Sequence, residues 1–176
     1  MGVEFPMPEA LKIIALTIVL SCAYGIVHDQ ITARVCLEYF TIGHVAIAIG
    51  PQTPTFLGFY WGIAATWWVG VMLGVPLALC AQVGPWPKRT ARELLRPLFL
   101  LLAITFTCAM TGLIIARLTG FTAPRPILPQ SLPDDRVAAF SADLVTHNIS
   151  YGVGLFGGPW LSASVLRQRH KSRPMV

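Results

Sequence analysis

The sequence predicts an all-α integral membrane protein, a four-helix bundle forming a single membrane domain over residues 1–176. Charge is scarce: 12% of residues are Asp, Glu, Lys or Arg and 55% are hydrophobic, against about 25% charged in ordinary soluble domains. Four runs carry no formal charge at all, residues 13–28, 39–87, 97–116 and 144–166. A helix rising about 1.5 Å per residue needs about 20 such residues to cross the hydrocarbon of a bilayer. The basic residues, moreover, divide unevenly between the two sides that these runs define.

Each span has boundary chemistry of its own. The first helix, about 9–28, follows Pro6 and Pro8, which are tolerated where a helix start has no use for the missing donors. The second, about 57–83, is stopped by Pro85-Trp86-Pro87, and Pro76 inside it is expected to bend it. The third, about 97–117, takes Pro97 in its first turn. Pro124, Pro126, Pro129 and Pro133 make residues 119–133 a stiff irregular connection. Asp134 and Asp135 then stand where acidic groups favour a helix start, ahead of the fourth helix at about 140–166. Residues 39–50 are uncharged but too few to span, and fit a re-entrant or interfacial segment after the first helix.

With both termini in the cytoplasm, the inner side holds Lys12, Lys88, Arg89, Arg92, Arg96, Arg167, Arg169, Lys171 and Arg173. The outer side holds only Arg34, Arg117, Arg125 and Arg136. This is a positive-inside bias. The net charge of +5 therefore describes anchoring at anionic lipid and not a nucleic-acid partner, for which the basic tail lacks interleaved aromatics. A cleaved secretory leader is disfavoured by Glu4 and Glu9 in the leading region. The weak lipobox-like run ending at Cys22 lacks a suitable leader for the same reason.

The chemistry concentrates between His28 and His44. This stretch of seventeen residues holds His28, Asp29, Arg34, Glu38 and His44, and ionisable groups at membrane depth mark functional sites by default. About twenty residues outward from Arg167 lies His147, and about twenty from Glu9 lies His28, so both histidines are expected at the outer hydrocarbon boundary. Asp143 and Tyr151 share the face of His147 at four-residue spacing. His28, Asp29, Glu38, His44, Asp143 and His147 are thus expected to converge on one outer pocket. The 39–50 segment would close over it as a lid, and Arg34 would pair with Glu38.

Imidazoles and carboxylates together suit a divalent transition metal, zinc, iron or manganese. The expected ligands are His28, His44, Asp143 and His147, with Asp143 either binding directly or orienting His147. Glu38 or Asp29 would serve as the catalytic base toward metal-bound water, and the substrate would be a lipid or a lipid-soluble molecule. No His-Glu-x-x-His, paired histidine box or Glu-x-x-His motif fixes the chemistry. A purely structural role for hydrogen-bonded interfacial histidines stands beside the metal reading, as does haem ligation, which the neighbouring carboxylates suit poorly. The competing functional class is a non-enzymatic membrane subunit or assembly factor, whose polar outer loop docks a membrane protein partner. Cys22, Cys36, Cys80 and Cys108 form no Cys-x-x-Cys pair. Gly70/Gly74 and Gly154/Gly158 have the spacing of close helix packing, within one chain or in a homo-oligomer.

The segments Tyr24-Gly25-Ile26-Val27-His28-Asp29-Gln30, Thr32-Ala33-Arg34 and Glu38-Tyr39-Phe40-Thr41-Ile42-Gly43-His44 resemble a pattern found in uncharacterised small bacterial membrane proteins. Thr66-Trp67-Trp68-Val69-Gly70 and Leu94-Leu95-Arg96-Pro97-Leu98 extend the resemblance over roughly the first hundred residues. It implies four helices in a bacterial cytoplasmic membrane, multi-pass, and carries no activity with it.

Reporter fusions test the topology. Fusions at Lys88 and at the C-terminal tail are expected to report cytoplasm, and fusions at Gln52 and Gln130 the outside. A cytoplasmic signal at Gln52 reverses the orientation.

Overall fold

The computed structural model describes residues 8–45 and 50–172, and among these every regular element is helical. Six α-helices follow in order: α1 (Glu9–Val35), α2 (Leu37–Thr41), α3 (Pro54–Ala64), α4 (Trp67–Gln82), α5 (Ala91–Thr119) and α6 (Val137–Lys171). Two short 3-10 turns, Arg125–Ile127 and Asp134–Arg136, punctuate the proline-rich connection before α6. Three stretches are long and apolar enough to cross a membrane, Glu9–Val35, Pro54–Gln82 and Ala91–Thr119. They overlap the first three expected spans, about 9–28, 57–83 and 97–117. The fourth, α6, is the longest helix at 35 residues but falls outside that set: its first half carries Asp143, His147 and Asn148, and its second is diluted by glycine, serine and Pro159.

α1 is the central element. It packs most extensively against α3 and α4 and also meets α5 and α6, while α5 and α6 pair with each other. Glycine makes the closest of these approaches. A methyl group on Gly70 would lie 2.5 Å from the Ile18 Cα, and one on Gly62 would lie 2.5 Å from the Ile26 nitrogen, so α1 and the α3–α4 pair touch backbone to backbone. The Gly70/Gly74 spacing therefore serves packing within the chain. The Gly154/Gly158 pair does not act in this way: a Cβ at Gly154 meets nothing, and one at Gly158 meets only the Leu73 side chain.

The helix boundaries correct the expectation at three points. First, α1 does not end near residue 28 but continues to Val35, so most of the polar stretch is helix and not loop. The cause is its spacing: Gly25, His28, Asp29, Thr32 and Ala33 are buried together, the i, i+3, i+4, i+7, i+8 stripe of one helix face. Secondly, the second span is interrupted at Ala65–Thr66. There the Thr66 hydroxyl donates to the Gly62 carbonyl and the Thr66 amide turns back to Ile63 O at 3.1 Å; α4 itself runs through Pro76. Thirdly, α5 begins at Ala91 and not at Pro97, because Thr90 and Glu93 form a reciprocal capping box. The 39–50 segment starts as α2 and reaches His44 and Val45, but residues 46–49, on which the re-entrant reading depends, lie outside the described residues.

Residues Ile13, Leu77, Ala81, Leu94, Leu98 and Val165 form the apolar core at one end of the bundle. Next to it lies Arg169, fully buried although it belongs to the basic tail. Its guanidinium donates to Pro87 O at 2.8 Å, Val83 O at 3.0 Å, Trp86 O at 3.1 Å and to Cys80 O. It thereby satisfies the free carbonyls at the C-terminus of α4 and fixes the turn into α5. Glu9 locks the same end by accepting from the Ala91 amide at 2.9 Å.

Arg169→Lys is expected to destabilise the fold despite keeping the charge, because an ammonium cannot fork to four carbonyls. Arg169→Ala should cost about 3 kcal/mol or more, since hydrogen bonds from charged donors are worth about 1.5–3 kcal/mol. The midpoint of thermal unfolding in mild detergent measures both. An unchanged midpoint for Arg169→Ala removes this residue from the account of stability.

Candidate metal centre

Two helices bring the cluster together. The inward stripe of α1 delivers His28 and Asp29 as neighbours, and α6 delivers His147 from the opposite wall; all three are buried. One ligand atom from each lies within 4.8 Å of the others. His28 Nδ1 is 2.9 Å from Asp29 Oδ1, and His147 Nε2 is 3.4 Å from the same oxygen. The rings meet edge to face at 4.6 Å between centroids. Tyr24 stacks on His28 at 5.7 Å and Tyr39 on His147 at 4.3 Å, so each imidazole is held in its plane from outside the cluster.

The hydrogen bonds decide which atoms face inward. His147 Nδ1 lies 2.8 Å from the Asp143 carbonyl oxygen; a carbonyl only accepts, so Nδ1 carries the proton and donates. The remaining ring nitrogen, Nε2, faces a carboxylate oxygen, an approach that takes either a proton or a metal ion between the two. With metal–ligand bonds of about 2.0–2.2 Å, two donors at a tetrahedral angle stand about 3.4 Å apart, which matches the His147–Asp29 separation. His28 Nε2 is buried without a hydrogen-bond partner, which leaves a further imidazole nitrogen unsatisfied. The cluster is therefore capable of coordinating a divalent metal ion through two imidazoles and one carboxylate.

Of the six residues expected to converge, His28, Asp29 and His147 form this group and the other three do not join it. Asp143 is completely buried, but its carboxylate oxygens have no partner, and it is its backbone carbonyl that orients His147. The i,i+4 spacing that suggested a carboxylate contact instead gives the side chain-to-backbone bond natural to a helix. His44 lines the same small cavity, with Nδ1 tied to Tyr39 O at 2.8 Å and its ring against Trp61 at 4.5 Å. Burial holds it below the ordinary histidine range. Glu38 is engaged elsewhere: Arg136 donates to its Oε2 at 2.8 Å and the Cys36 thiol at 3.4 Å. The expected Arg34–Glu38 pair is absent, because the chain turns into an extended conformation at Cys36 and breaks the helical register between them. Arg34 bonds the Gln30 side chain at 2.8 Å and the Thr55 hydroxyl at 2.9 Å.

The cluster borders two cavities. A small one of about 30 Å³ touches His28, Asp29, His44 and His147 directly, space for about one or two water molecules. A larger one of about 490 Å³ adjoins it, sharing Tyr24, Thr66, Ser150 and Tyr151 and otherwise walled mainly by apolar residues of α4, α5 and α6. The Tyr24 and Ser150 hydroxyls, 2.6 Å apart, stand at the junction. Neither was singled out as a site residue from the sequence. The signal was present, since Tyr24 precedes His28 by four and so shares its helix face.

Comparison of the chain with protein-family models, with curated proteins and with solved structures gives no match.

Partial burial pushes the Glu38 carboxyl up, but the hydrogen bonds from Arg136, from a backbone amide and from Cys36 outweigh it and hold the group below its ordinary value. A lowered carboxylate stabilises the fold above the unfolded-chain value near 4.3 and loses that contribution as pH falls through the folded value. Glu38→Gln should therefore lower stability at pH 7 by about 0.5–1 kcal/mol, as for a half-exposed pair. The gap to wild type should close below about pH 4, as read from unfolding midpoints across pH. A gap independent of pH contradicts the ion-pair assignment.

Proposed function

We propose that the chain is a four-span integral membrane protein whose His28, Asp29 and His147 hold one divalent first-row metal ion at the outer edge of the hydrocarbon. The observation that carries this reading is the confrontation of His147 Nε2 with Asp29 Oδ1 at 3.4 Å, in a buried cluster where His28 Nε2 has no partner. The membrane setting is supported by a reversed distribution of polarity. Thr17, Ser21, Thr105, Thr146 and the cluster are buried, while Val19, Phe99, Leu100, Phe156 and Trp160 are exposed. Counting helix rise, His28 lies about 28 Å along α1 from Glu9, close to the hydrocarbon thickness of about 30 Å. In this reading α6 completes the fourth span, its polar residues turned inward. The basic end of the bundle faces the cytoplasm of a bacterial cell.

Two imidazoles and one carboxylate leave coordination positions open, as in metal sites that activate water or dioxygen. Zinc there would supply a hydroxide at neutral pH, and iron or manganese would also serve oxidation. The chain's own residues supply the rest. Asp29 bears a negative charge that offsets half of the ion's. Tyr24 and Ser150 offer hydroxyls at the mouth of the apolar cavity, where the polar end of a lipid-soluble substrate would meet the metal. Asp29 serves as ligand in place of general base, and Glu38, held by Arg136, serves structure. A partner docking on the outer face would meet Arg34, which is exposed, and not His28 and Asp29, which are buried in α1.

Gently purified protein is expected to carry about one equivalent of zinc, iron or manganese by elemental analysis. His147→Ala, Asp29→Asn and His28→Ala should each lose most of it, because two remaining donors compete poorly with water. Asp143→Asn should retain metal within about 10-fold of wild-type affinity. Folded protein that contains no metal, and binds none on addition, refutes the assignment.

A further inference from the structure

We propose that a groove between α5 and α6, on the lipid-facing side of the bundle, seats one acyl chain of an anionic phospholipid whose headgroup is held by Arg96 and Arg167. The groove has a volume of about 810 Å³ and runs from Pro97 and Ser164 to Ile104 and Ile149. From Ser164 to Ile149 the rise of α6 is about 22 Å, more than the hydrocarbon depth of one leaflet, about 15 Å. Its walls are apolar and open: Leu100, Phe156 and Trp160 are 61%, 77% and 70% exposed. Charge complementarity names the occupant. Arg96 precedes Leu100 by four and Arg167 follows Ser164 by three, so both arginines continue the groove-lining faces beyond its end. Both are exposed, and among the described residues neither has an ion-pair partner. The nearby Glu93 carboxylate is already held by Arg89 and Thr90. Two unpaired guanidiniums above an apolar channel match a phosphodiester above an acyl chain. A polar chain or free phosphate would leave the channel empty.

This site rests on the spanning topology proposed above and is independent of the metal. The full chain is reconstituted in vesicles of equal parts phosphatidylglycerol and phosphatidylcholine, re-extracted in mild detergent and weighed intact by native mass spectrometry. Wild type is expected to retain about one phosphatidylglycerol. R96Q/R167Q should reduce its occupancy about 10-fold or more. V153W, placed on a groove residue that does not line the large inner cavity, should block it while leaving metal content unchanged. Equal occupancy in R96Q/R167Q, or equal retention of phosphatidylcholine by wild type, overturns the headgroup assignment. A lipid-free wild-type dimer that V153W converts to monomer assigns the groove to a second copy and overturns the proposal. Alkaline carbonate separates the two readings. Release of the chain from membranes refutes the spanning topology, whereas a retained chain without bound lipid refutes this site alone.

Discussion

A polar side chain inside an apolar medium has no water to return to, so every such group must find a partner within the fold or remain costly. This constraint organises the bundle. Thr32, Thr105 and Thr146 return their hydroxyl protons to carbonyls one turn back on their own helices, a solution that asks nothing of neighbouring elements. Arg169 solves the larger problem of a helix terminus by donating to four carbonyls at once. The exceptions cluster. Of the five buried side-chain atoms without a partner among the described residues, three belong to His28 and Asp143, a fourth, Trp61 Nε1, sits on the ring that packs against His44, and the fifth, Arg136 Nε, lies apart on the guanidinium that holds Glu38. Unsatisfied polarity gathered in one place is what an incomplete site looks like.

The same constraint explains how much of the molecule was legible in its sequence. Length and charge depletion locate the three apolar spans, though with ends up to seven residues off, because those properties are summed over many positions and survive local error. His28, Asp29 and His147 were legible for a related reason: depth counted in residues along two helices brought them to one level. What failed was the assumption that polarity means loop. The segment from His28 to Thr32 continues α1, and its burial at i, i+3, i+4 and i+7 with Gly25 as origin is a helical stripe whose polar members simply face a polar interior. Glu38 was misplaced because the turn at Cys36 redirects the chain, and one extended residue in a helical run leaves little trace in composition.

Arg169 shows a different limit. Counted by position it belongs to the basic tail, yet it is fully buried. Nothing local distinguishes it from Arg167, which is exposed; the difference arises because the turn after α4 presents free carbonyls at that height. A residue whose role is to complete another element cannot be recognised until that element's end has been located. Asp143 is the converse case, a correctly noticed residue whose backbone, not its carboxylate, touches His147.

The glycine contacts of α1 also set how closely its neighbours approach. Where Gly62 meets Ile26 and Gly70 meets Ile18, backbones are in van der Waals contact with no side chain between them to yield. α1 therefore lies directly against α3 and α4, while α6 packs on α5 and also on α4. The large apolar cavity is lined by residues of α1, α4, α5 and α6. His28 and Asp29 stand on α1 and His147 on α6, so the same two helices wall the cavity and hold the cluster. A change in their separation would alter the width of the one and the donor spacing of the other together.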